Sequence, residues 1–320
     1  MVNPRVTIII PVYNCQNSIK QAIRSIQNQK MKDIEIILVN DKSKDDSLKI
    51  IENIQKADKR IILINNKKNM GTLYSRCIGV LQSKGNYIFP LDNDDMFFDD
   101  DVFNVVYEEA KSSNYDIVGF KSVQAYSYNA KFNQMKNGCH MHHNNFTIYK
   151  PNLSLFGISN NGKLKITEVH IWSKCIKNTI YKKAVNSLGR ERYSLFMSWA
   201  EDTSMVFILF NVAESYRYII KIGIFRCHRK NSASKSMPSS HILFAEIFFL
   251  NIIFDFSNND SNSKKFAVYK AIYIKKLISL KSLNKININF LKLTLKKLLI
   301  CPYISNEDKT KLIITFKEFV

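Results

Sequence analysis

The sequence lacks several patterns that mark well-known protein classes. Its six cysteines are scattered without a C-x-x-C pair, and no signal-like apolar stretch precedes the first apolar run, so we expect a reducing cytoplasm. No stretch reaches the roughly 18 uncharged apolar residues of a membrane span. The nearest candidate, Leu243–Phe254, contains Glu246 and Asn251. No G-x-G-x-x-G follows the first apolar run, which disfavours a dehydrogenase.

Acidic residues are scarce in one part of the chain only. The 320 residues carry a net charge of +20, yet residues 1–120 hold 16 basic and 16 acidic side chains, against 31 and 11 in residues 121–320. The excess favours anionic partners such as a membrane leaflet or nucleic acid. Solvated lysines on helix faces are an equally open explanation. A hydrophobic content of 46% indicates a packed globular protein of one or two domains.

The first 120 residues alternate apolar runs with helical patterns. This alternation predicts an α/β fold with a mostly parallel sheet flanked by helices on both faces. In open sheets of this kind ligands bind beyond the carboxyl ends of the strands. The predicted strands are Val6–Ile10, Ile34–Val39, Ile61–Ile64, Tyr87–Leu91 and Tyr115–Phe120, and the helices between the first four are Cys15–Gln29, Asp46–Ala57 and Thr72–Ser83.

The rest of the chain is less regular. Residues 125–170 are irregular and rich in Asn, His and Tyr, as in a loop over a site. A Ser/Asn/Pro-rich stretch suggests a boundary that separates a domain of residues 1–238 from a basic helical region, 239–320. The further predicted elements are helices over Ile171–Ala184, Asp202–Val212, Ala267–Leu280 and Ile288–Ile300, and a strand pair or an extended run over Tyr218–His228.

Four polar residues, Asp92-Asn93-Asp94-Asp95, follow a buried-looking strand. Carboxylates packed so closely repel one another unless a cation neutralises them. Hard oxygen ligands suit Mg²⁺ or Mn²⁺, which bind one or two carboxylates and complete their shell with water and phosphate oxygens. A solvated turn that opens the next helix is an equally open alternative, and Asp95 is expected to cap that helix.

Further candidates follow the second and third strands. Asp41 can accept hydrogen bonds from a nucleobase or ribose, although a helix-capping role is open. Asn69, Gly71 and Arg76 lie where glycine permits close backbone approach and arginine can meet a carboxylate or diphosphate. Alone, each of these signals is weak.

Taken together, these segments resemble the family 2 glycosyltransferases of the GT-A fold, from about Arg5 to Ser236. Each motif is common, whereas their ordered set is specific. The motifs are Val6-Thr7-Ile8-Ile9-Ile10-Pro11-Val12-Tyr13-Asn14, Ile37-Leu38-Val39-Asn40-Asp41-Lys42-Ser43, Asn69-Met70-Gly71 with Arg76 and Gly79, Tyr87-Ile88-Phe89-Pro90-Leu91-Asp92-Asn93-Asp94-Asp95, and Trp199-Ala200-Glu201-Asp202.

The resemblance implies a role for each motif. Asp92-x-Asp94 would be the metal-diphosphate motif, with Mn²⁺ or Mg²⁺ on Asp94 and Asp92. Asp202, preceded by Glu201, would be the catalytic base that takes the proton of the acceptor hydroxyl. The nucleotide-sugar contacts implied in this way are Pro11, Val12, Tyr13, Asn14, Asp41, Asn69, Gly71, Arg76, Asp92 and Asn93.

The resemblance also has departures. Asn40 stands where relatives usually have a second Asp, and Cys77 replaces a common Asn. The Gln/Arg-x-x-Arg-Trp signature of processive synthases is missing, which favours transfer of one sugar. The expected activity is inverting transfer from a nucleoside-diphosphate sugar, UDP by preference, to a saccharide or lipid-linked acceptor in glycan biosynthesis.

Other readings stay open. A catalytically silent α/β protein that binds anionic membrane or nucleic acid through its basic half is the alternative function. Cys139–His143 invites a zinc site, although the spacing is too tight for all its members to share one ion. His228–Ser232 resembles a segment that closes over a diphosphate. The C-terminal helices, with lysines beside apolar stripes, favour either association with the cytoplasmic face of a membrane or packing on the first domain.

Overall fold

We describe the protein from a computed structural model. It describes residues 4–127, 135–137, 142–151, 156–158, 164–166, 170–197, 201–227, 239–256, 288–300 and 305–315. The predicted segments Ala267–Leu280 and His228–Ser232 lie outside these ranges, as do residues 139–141 of the Cys139–His143 cluster.

The first half of the chain builds four parallel strands with helices between them. Strands β1 to β4 lie side by side in the order β3-β2-β1-β4, and Val6 of β1 is level with Ile34 of β2 and Tyr87 of β4. The α/β alternation predicted from the sequence is therefore confirmed. The bounds are β1 Val6–Val12, α1 Ile19–Gln27, β2 Ile34–Asn40, α2 Ser47–Ala57, β3 Ile61–Asn65, α3 Thr72–Gln82, β4 Tyr87–Pro90, β5 Asp95–Phe97 and α4 Val102–Ser112.

The second half extends this sheet with strands of both directions. Beyond β4 the order continues β11-β6-β12-β5; β11 is antiparallel to both neighbours, and β12 is parallel to β6. The bounds are β6 Ile117–Ala125, β7 Lys136–Asn137, β8 Phe146–Tyr149, β9 Phe156–Ile158, β10 Leu164–Ile166, β11 Lys174–Lys177, α5 Asn178–Leu188, α6 Arg190–Tyr193, α7 Glu201–Val212 and β12 Ser215–Cys227.

Alternation along the strands divides the core between the two faces of the sheet. Ile8 and Ile10 of β1 pack with α1, α2 and α4, whereas Ile9 of the same strand packs with α3, α5, α7 and the next helix, α8 (Ser239–Phe256). Successive strand side chains point to opposite faces, and both faces are covered. All seven residues of β1 and of β2 are buried accordingly.

Two local predictions were wrong. The helix expected over Ile171–Ala184 begins only at Asn178, because Ile171–Ser173 form a 3-10 turn and β11 follows it. Asp95 does not cap a helix: it opens strand β5, and the next helix starts at Val102.

The C-terminal helices follow the α/β sheet domain. α8 buries Phe248, Leu250 and Ile252 in the core that α7 lines, so the proposed boundary after residue 238 falls at the start of a core helix. α9 spans Ile288–Ile300, as predicted, and α10 spans Asn306–Thr315. Within the described ranges no helix is long and apolar enough to cross a membrane.

Candidate active site

The predicted site residues gather at one edge of the sheet. β1, β2, β3 and β4 are parallel, so the segments that follow them meet at their carboxyl ends, where open α/β sheets bind ligands. Glu201 and Asp202 lie in the first turn of helix α7. A side chain of α3 contacts both of them and so connects them to the same edge of the sheet. The sequence-predicted residues are therefore brought together in space.

Arg76 of α3 joins both halves of the site. Its Nη2 donates to Oδ1 of Asp92 at 2.9 Å, and its Nη1 donates to Oδ1 of Asp202 at 2.8 Å and to Oε1 of Glu201 at 3.2 Å. The guanidinium is 2% exposed. Arg76 was expected beneath a nucleotide pocket, and that role stays a prediction; its terminal nitrogens are hydrogen-bonded to three carboxylates.

Burial and charge set the protonation of this cluster. Burial raises the pKa of Glu201 to about 7, with Asp202 adding to the rise and Arg76 opposing it. For Arg76, burial lowers the pKa, but Asp202, Asp92 and Glu201 raise it by more, and the net pKa lies above the ordinary arginine value. Arg76 therefore stays charged, whereas Glu201 is a carboxyl whose raised pKa brings its change of charge near neutral pH.

Asp202 is the most accessible carboxylate of the α7 pair. Its side chain is 18% exposed, against 9% for Glu201. Oδ1 accepts from Arg76, whereas Oδ2, among the residues that the structure describes, has only a long contact of 3.5 Å from the backbone N–H of Ile171. Oδ2 is thus the oxygen best able to accept a proton.

Asp41 is occupied by its own chain. Its Oδ1 accepts from Asn66 Nδ2 and from the backbone N–H of Met70, both at 2.8 Å, and its Oδ2 accepts from the N–H of Gly71 at 2.7 Å. Asn69 supports the same turn through Oδ1, 3.2 Å from the Gly71 nitrogen. Asp41 therefore shapes the loop between β3 and α3, and neither of its oxygens is free of internal donors.

Gly71 is required at the start of α3. Its φ of +91° lies in the region that favours glycine. A Cβ added there would overlap the backbone carbonyl of Met197, to which the N–H of Leu73 donates. This close approach packs the loop after β3 against the segment that leads to Glu201.

The residues at the end of β1 contribute mainly backbone atoms to the site, together with the exposed ring of Tyr13. Pro11 and Val12 are buried, and their carbonyl oxygens accept from Asn93 Nδ2 at 3.0 Å and from the Asp41 N–H at 2.8 Å. Tyr13 is 41% exposed. Asn14, with φ of +46°, ties the turn to Lys44 by accepting its N–H at 2.8 Å. Tyr13 is the side chain of this group that can stack on a planar ligand.

Arg226, which the sequence reading did not single out, faces the carboxylate turn. Its Nε lies 3.7 Å from Oδ2 of Asp95, and its guanidinium lies 4.6 Å from the centre of the Trp172 ring. Burial raises the pKa of Asp95 well above its ordinary value; Asp92 and Asp94 add to this, and Arg226 opposes it. The contact between Asp95 and Arg226 arises from the pairing of β5 with β12. The sequence around Asp95 has no pattern that predicts a strand of only three residues.

The chemistry of the turn fits a divalent cation. Arg76 pairs with Asp92, Glu201 and Asp202, and Arg226 faces Asp95. Among the ion pairs of the described residues, four carboxyl groups at this edge therefore share two guanidinium groups, and Asp94 adds a fifth carboxyl group to the turn. Within the described part of the chain, no group of three or more His, Cys, Asp or Glu is arranged to hold a metal. Mg²⁺ and Mn²⁺ do not need such a cage, because they bind through one or two carboxylates together with substrate phosphates. Asp94 and Asp92 would supply those oxygens.

A cavity of about 570 Å³ lies at the opposite end of the sheet. It is lined by Lys84, Lys111, Lys177 and Lys182 among others, and none of its lining residues is acidic. The carboxylates lie at the other edge of the sheet, which is therefore the candidate active site.

Comparison with known proteins decides the family. The family model described as glycosyl transferase family 2 matches residues 7–176. The chain belongs to this family. The matched stretch contains the polar motifs that follow the first four strands, whereas Glu201-Asp202, at the start of α7, lies outside it.

Individual relatives agree with this assignment. An uncharacterized glycosyltransferase of Bacillus subtilis, EpsJ, is 40% identical over 116 residues, 36% of this chain and 33% of that protein. The cholesterol galactosyltransferase of Borreliella burgdorferi is 34% identical over 114 residues, 36% of this chain and 31% of its own length. In both relatives the match spans about a third of the protein.

The fold has a solved counterpart. S. aureus TarS 1-349, in complex with UDP-GlcNAc, superposes with a TM-score of 0.62 at 14% identity, over 98% of this chain and 80% of that one. The likeness shows the fold, and the predicted GT-A architecture is confirmed.

Proposed function

We propose that this glycosyltransferase moves one sugar from a UDP-sugar to a hydroxyl of a saccharide or lipid-linked acceptor, with inversion at the anomeric carbon, in glycan biosynthesis. The observation that carries the proposal is the Arg76 bridge, which ties Asp92 of the donor-side turn to Asp202 at the start of α7. A general base and a diphosphate-binding group must face one reaction centre from two sides. Arg76 holds a candidate for each.

Asp202 is the proposed base. The acceptor oxygen attacks the anomeric carbon, the bond from that carbon to the leaving diphosphate oxygen breaks, and the acceptor proton passes to Oδ2 of Asp202. Oδ2 suits this duty because the Arg76 hydrogen bond goes to Oδ1, and the contact of Oδ2 within the described part of the chain is the long one with the Ile171 N–H. A single displacement of this kind inverts the configuration.

A divalent cation, Mn²⁺ or Mg²⁺, held by Asp94 and Asp92, would stabilise negative charge on the departing diphosphate. Tyr13, exposed beside β1, is placed to stack on the nucleobase. Asp41, Asn69 and Gly71 shape the adjoining loop, while Pro11, Val12, Asn14 and Asn93 hold the strand-end turns around it. The UDP-GlcNAc and UDP complexes of TarS, which shares the fold, support UDP as the nucleotide.

The proposed location is the cytoplasm, with peripheral attachment to the cytoplasmic face of a membrane. α9 supports the attachment, because Lys292 and Lys296 are exposed beside the apolar residues Leu293 and Ile300, which are 47% and 75% exposed. Lysines beside exposed apolar residues favour an anionic lipid surface. A lipid-linked acceptor would be found there.

The test is a panel of nucleotide sugars with Mn²⁺ and the Asp202→Asn variant. We expect wild-type protein to bind and slowly hydrolyse one UDP-sugar. Asp202→Asn should keep donor binding but lose sugar transfer by about 100-fold or more, the usual contribution of a general base. The matched control is Asp58→Asn, which breaks another Arg–Asp pair, with Arg60 at 2.7 Å, at the far end of the sheet. No binding of any nucleotide sugar by wild type, or full transfer by Asp202→Asn, would overturn the proposal.

A further inference from the structure

A short strand fastens the carboxylate turn to β12. β5 pairs antiparallel with β12 so that Asp95 stands opposite Arg226 and Phe97 opposite Ile224. The N–H of Phe98 adds a hydrogen bond of 2.9 Å to the carbonyl of Gly223. The turn that carries Asp92 and Asp94 is thus continuous with a strand whose position β12 determines.

The opposed pair is buried and is not closed by a hydrogen bond. Asp95 Oδ2 and Arg226 Nε face each other at 3.7 Å with side-chain exposures of 5% and 25%. Among the residues that the structure describes, neither atom has a hydrogen-bond partner. Arg226 is the cation that faces the buried Asp95 carboxyl, and removing it would leave that carboxyl without this neighbour.

Arg226 also contacts the acceptor side of the site. Its guanidinium lies 4.6 Å from the centre of the buried Trp172 ring, and Trp172 stacks on His170 with ring centres 4.7 Å apart. Between these two residues, Ile171 directs its N–H toward Oδ2 of Asp202. The chain from Asp95 through Arg226 and Trp172 therefore ends beside the proposed base.

We propose that Arg226 is a positioning residue for sugar transfer. It holds the Asp92–Asp95 turn against the 170–172 segment, through Asp95 on one side and Trp172 on the other, and so sets the spacing between donor-side carboxylates and Asp202. This is a second link between the two sides, independent of Arg76. The inference rests on the proposed function, because the turn is taken to hold the metal and diphosphate.

The experiment compares Arg226→Gln, Asp95→Asn, their double variant and Arg226→Lys. For each we measure Mn²⁺-dependent UDP affinity by calorimetry, donor kcat and KM, and thermal unfolding. Arg226→Gln should weaken UDP affinity about 10-fold, as losses of residues that orient metal ligands do. The double variant should bind UDP no more weakly than Arg226→Gln, because the two single changes remove the same contact, the one between residues 95 and 226. Arg226→Lys, which keeps the charge, should recover part of the loss.

The matched control is Arg217→Gln on the same strand. Arg217 pairs with Glu109 at 2.6 Å and is 22% exposed, close to the exposure of Arg226, but lies away from the turn. We expect this change to lower the unfolding temperature and leave UDP affinity within twofold of wild type. If Arg226→Gln behaves in the same way, or if the effects of Asp95→Asn and Arg226→Gln on UDP affinity add, the inference is overturned. A wild-type protein that binds no UDP would instead overturn the proposed function, and the inference with it.

Discussion

Nη1 of Arg76 lies 2.8 Å from Oδ1 of Asp202, although 126 positions separate the two residues along the chain. The same guanidinium reaches Asp92 through Nη2 at 2.9 Å. A residue of α3, in the first half of the chain, thus contacts the first turn of α7. One buried side chain links Asp92 directly to Asp202.

Replacing Arg76 by alanine should destabilise the fold and abolish transfer. Asp92, Glu201 and Asp202 would lose their common cation, and breaking a buried ion pair from one side costs about 3–5 kcal/mol. Urea unfolding followed by circular dichroism measures this change. Arg60→Ala, which removes the partly exposed partner of Asp58, is the control, with an expected loss of about 1 kcal/mol or less. Equal losses in the two variants would contradict the role assigned to Arg76.

Much of the first half of the fold follows from local patterns. The helix predicted over Thr72–Ser83 is observed as Thr72–Gln82, and the strands at Ile34 and Ile61 begin where the apolar runs begin. In each of these elements the apolar residues follow a pattern that is typical of its own secondary structure. The grouping of the site was predictable for the same reason, because parallel strands end at one edge.

The rest depends on contacts that no local pattern encodes. Lys174–Lys177 is a strand because β4 and β6 pair with it on both sides, whereas its own residues also suit the predicted helix. Asp95 faces Arg226 because β5 and β12 are in register there. The three partners of Arg76 lie 16, 125 and 126 positions away, and a single sequence carries no signal of such pairings.

Glu201 should make stability depend on pH. Its pKa is about 7 in the folded protein against 4.5 for the free side chain, so its stabilising contribution is complete below about pH 4.5 and is lost as the pH rises through 7. Glu201→Gln cannot ionise. Between pH 5 and about 8.5, the free energy of unfolding of this variant should rise relative to that of wild type by on the order of 1–3 kcal/mol. Urea unfolding at each pH measures this difference. Glu108→Gln, at a side chain that is 61% exposed, should follow the wild-type profile; a pH-independent difference for Glu201→Gln would refute the prediction.

Removal of divalent cations should abolish UDP binding. Asp92, Asp94 and Asp95 repel one another and a diphosphate alike, so the nucleotide needs a cation between them. Calorimetry with EDTA should show no UDP binding, and added Mn²⁺ should restore it. Asp94→Asn should lower UDP affinity about 10-fold or more at fixed Mn²⁺, while Asp100→Asn, at an exposed ion pair with Lys30, should not. UDP binding that survives EDTA unchanged would exclude the metal proposal.

Gly71→Ala should cost far more stability than Gly189→Ala. Both glycines have positive φ, +91° and +81°, so both variants carry the strain of a side chain there, about 1 kcal/mol. A methyl group at Gly71 also overlaps the Met197 carbonyl, whereas at Gly189 nothing lies within 4 Å. The Gly71 variant should therefore also lose UDP affinity, because its loop carries Asn69 and the contacts of Asp41. Unfolding temperature and UDP titration of the two variants provide the comparison, and similar losses would disprove the packing argument.

The C-terminal helices allow membrane attachment to be tested without truncating the chain. α8 cannot be removed cleanly, since Ile247, Phe248 and Ile253 are part of the core, and α9 is joined to it by hydrogen bonding between Asn251 and Thr294. Charge reversal on the exposed face of α9 leaves this packing intact. Lys292→Glu/Lys296→Glu is therefore the informative variant.

Wild-type protein should co-sediment with vesicles of phosphatidylglycerol and phosphatidylcholine, and less with phosphatidylcholine alone, because each lysine near an anionic surface contributes about 1 kcal/mol. Reversing Lys292 and Lys296 should release most of the bound protein, and rising salt should do the same to wild type. Lys49→Glu/Lys56→Glu changes the net charge by the same amount on exposed positions of α2 and should leave pelleting unchanged. Equal loss in both double variants would mean that net charge alone, rather than the exposed face of α9, brings the protein to lipid.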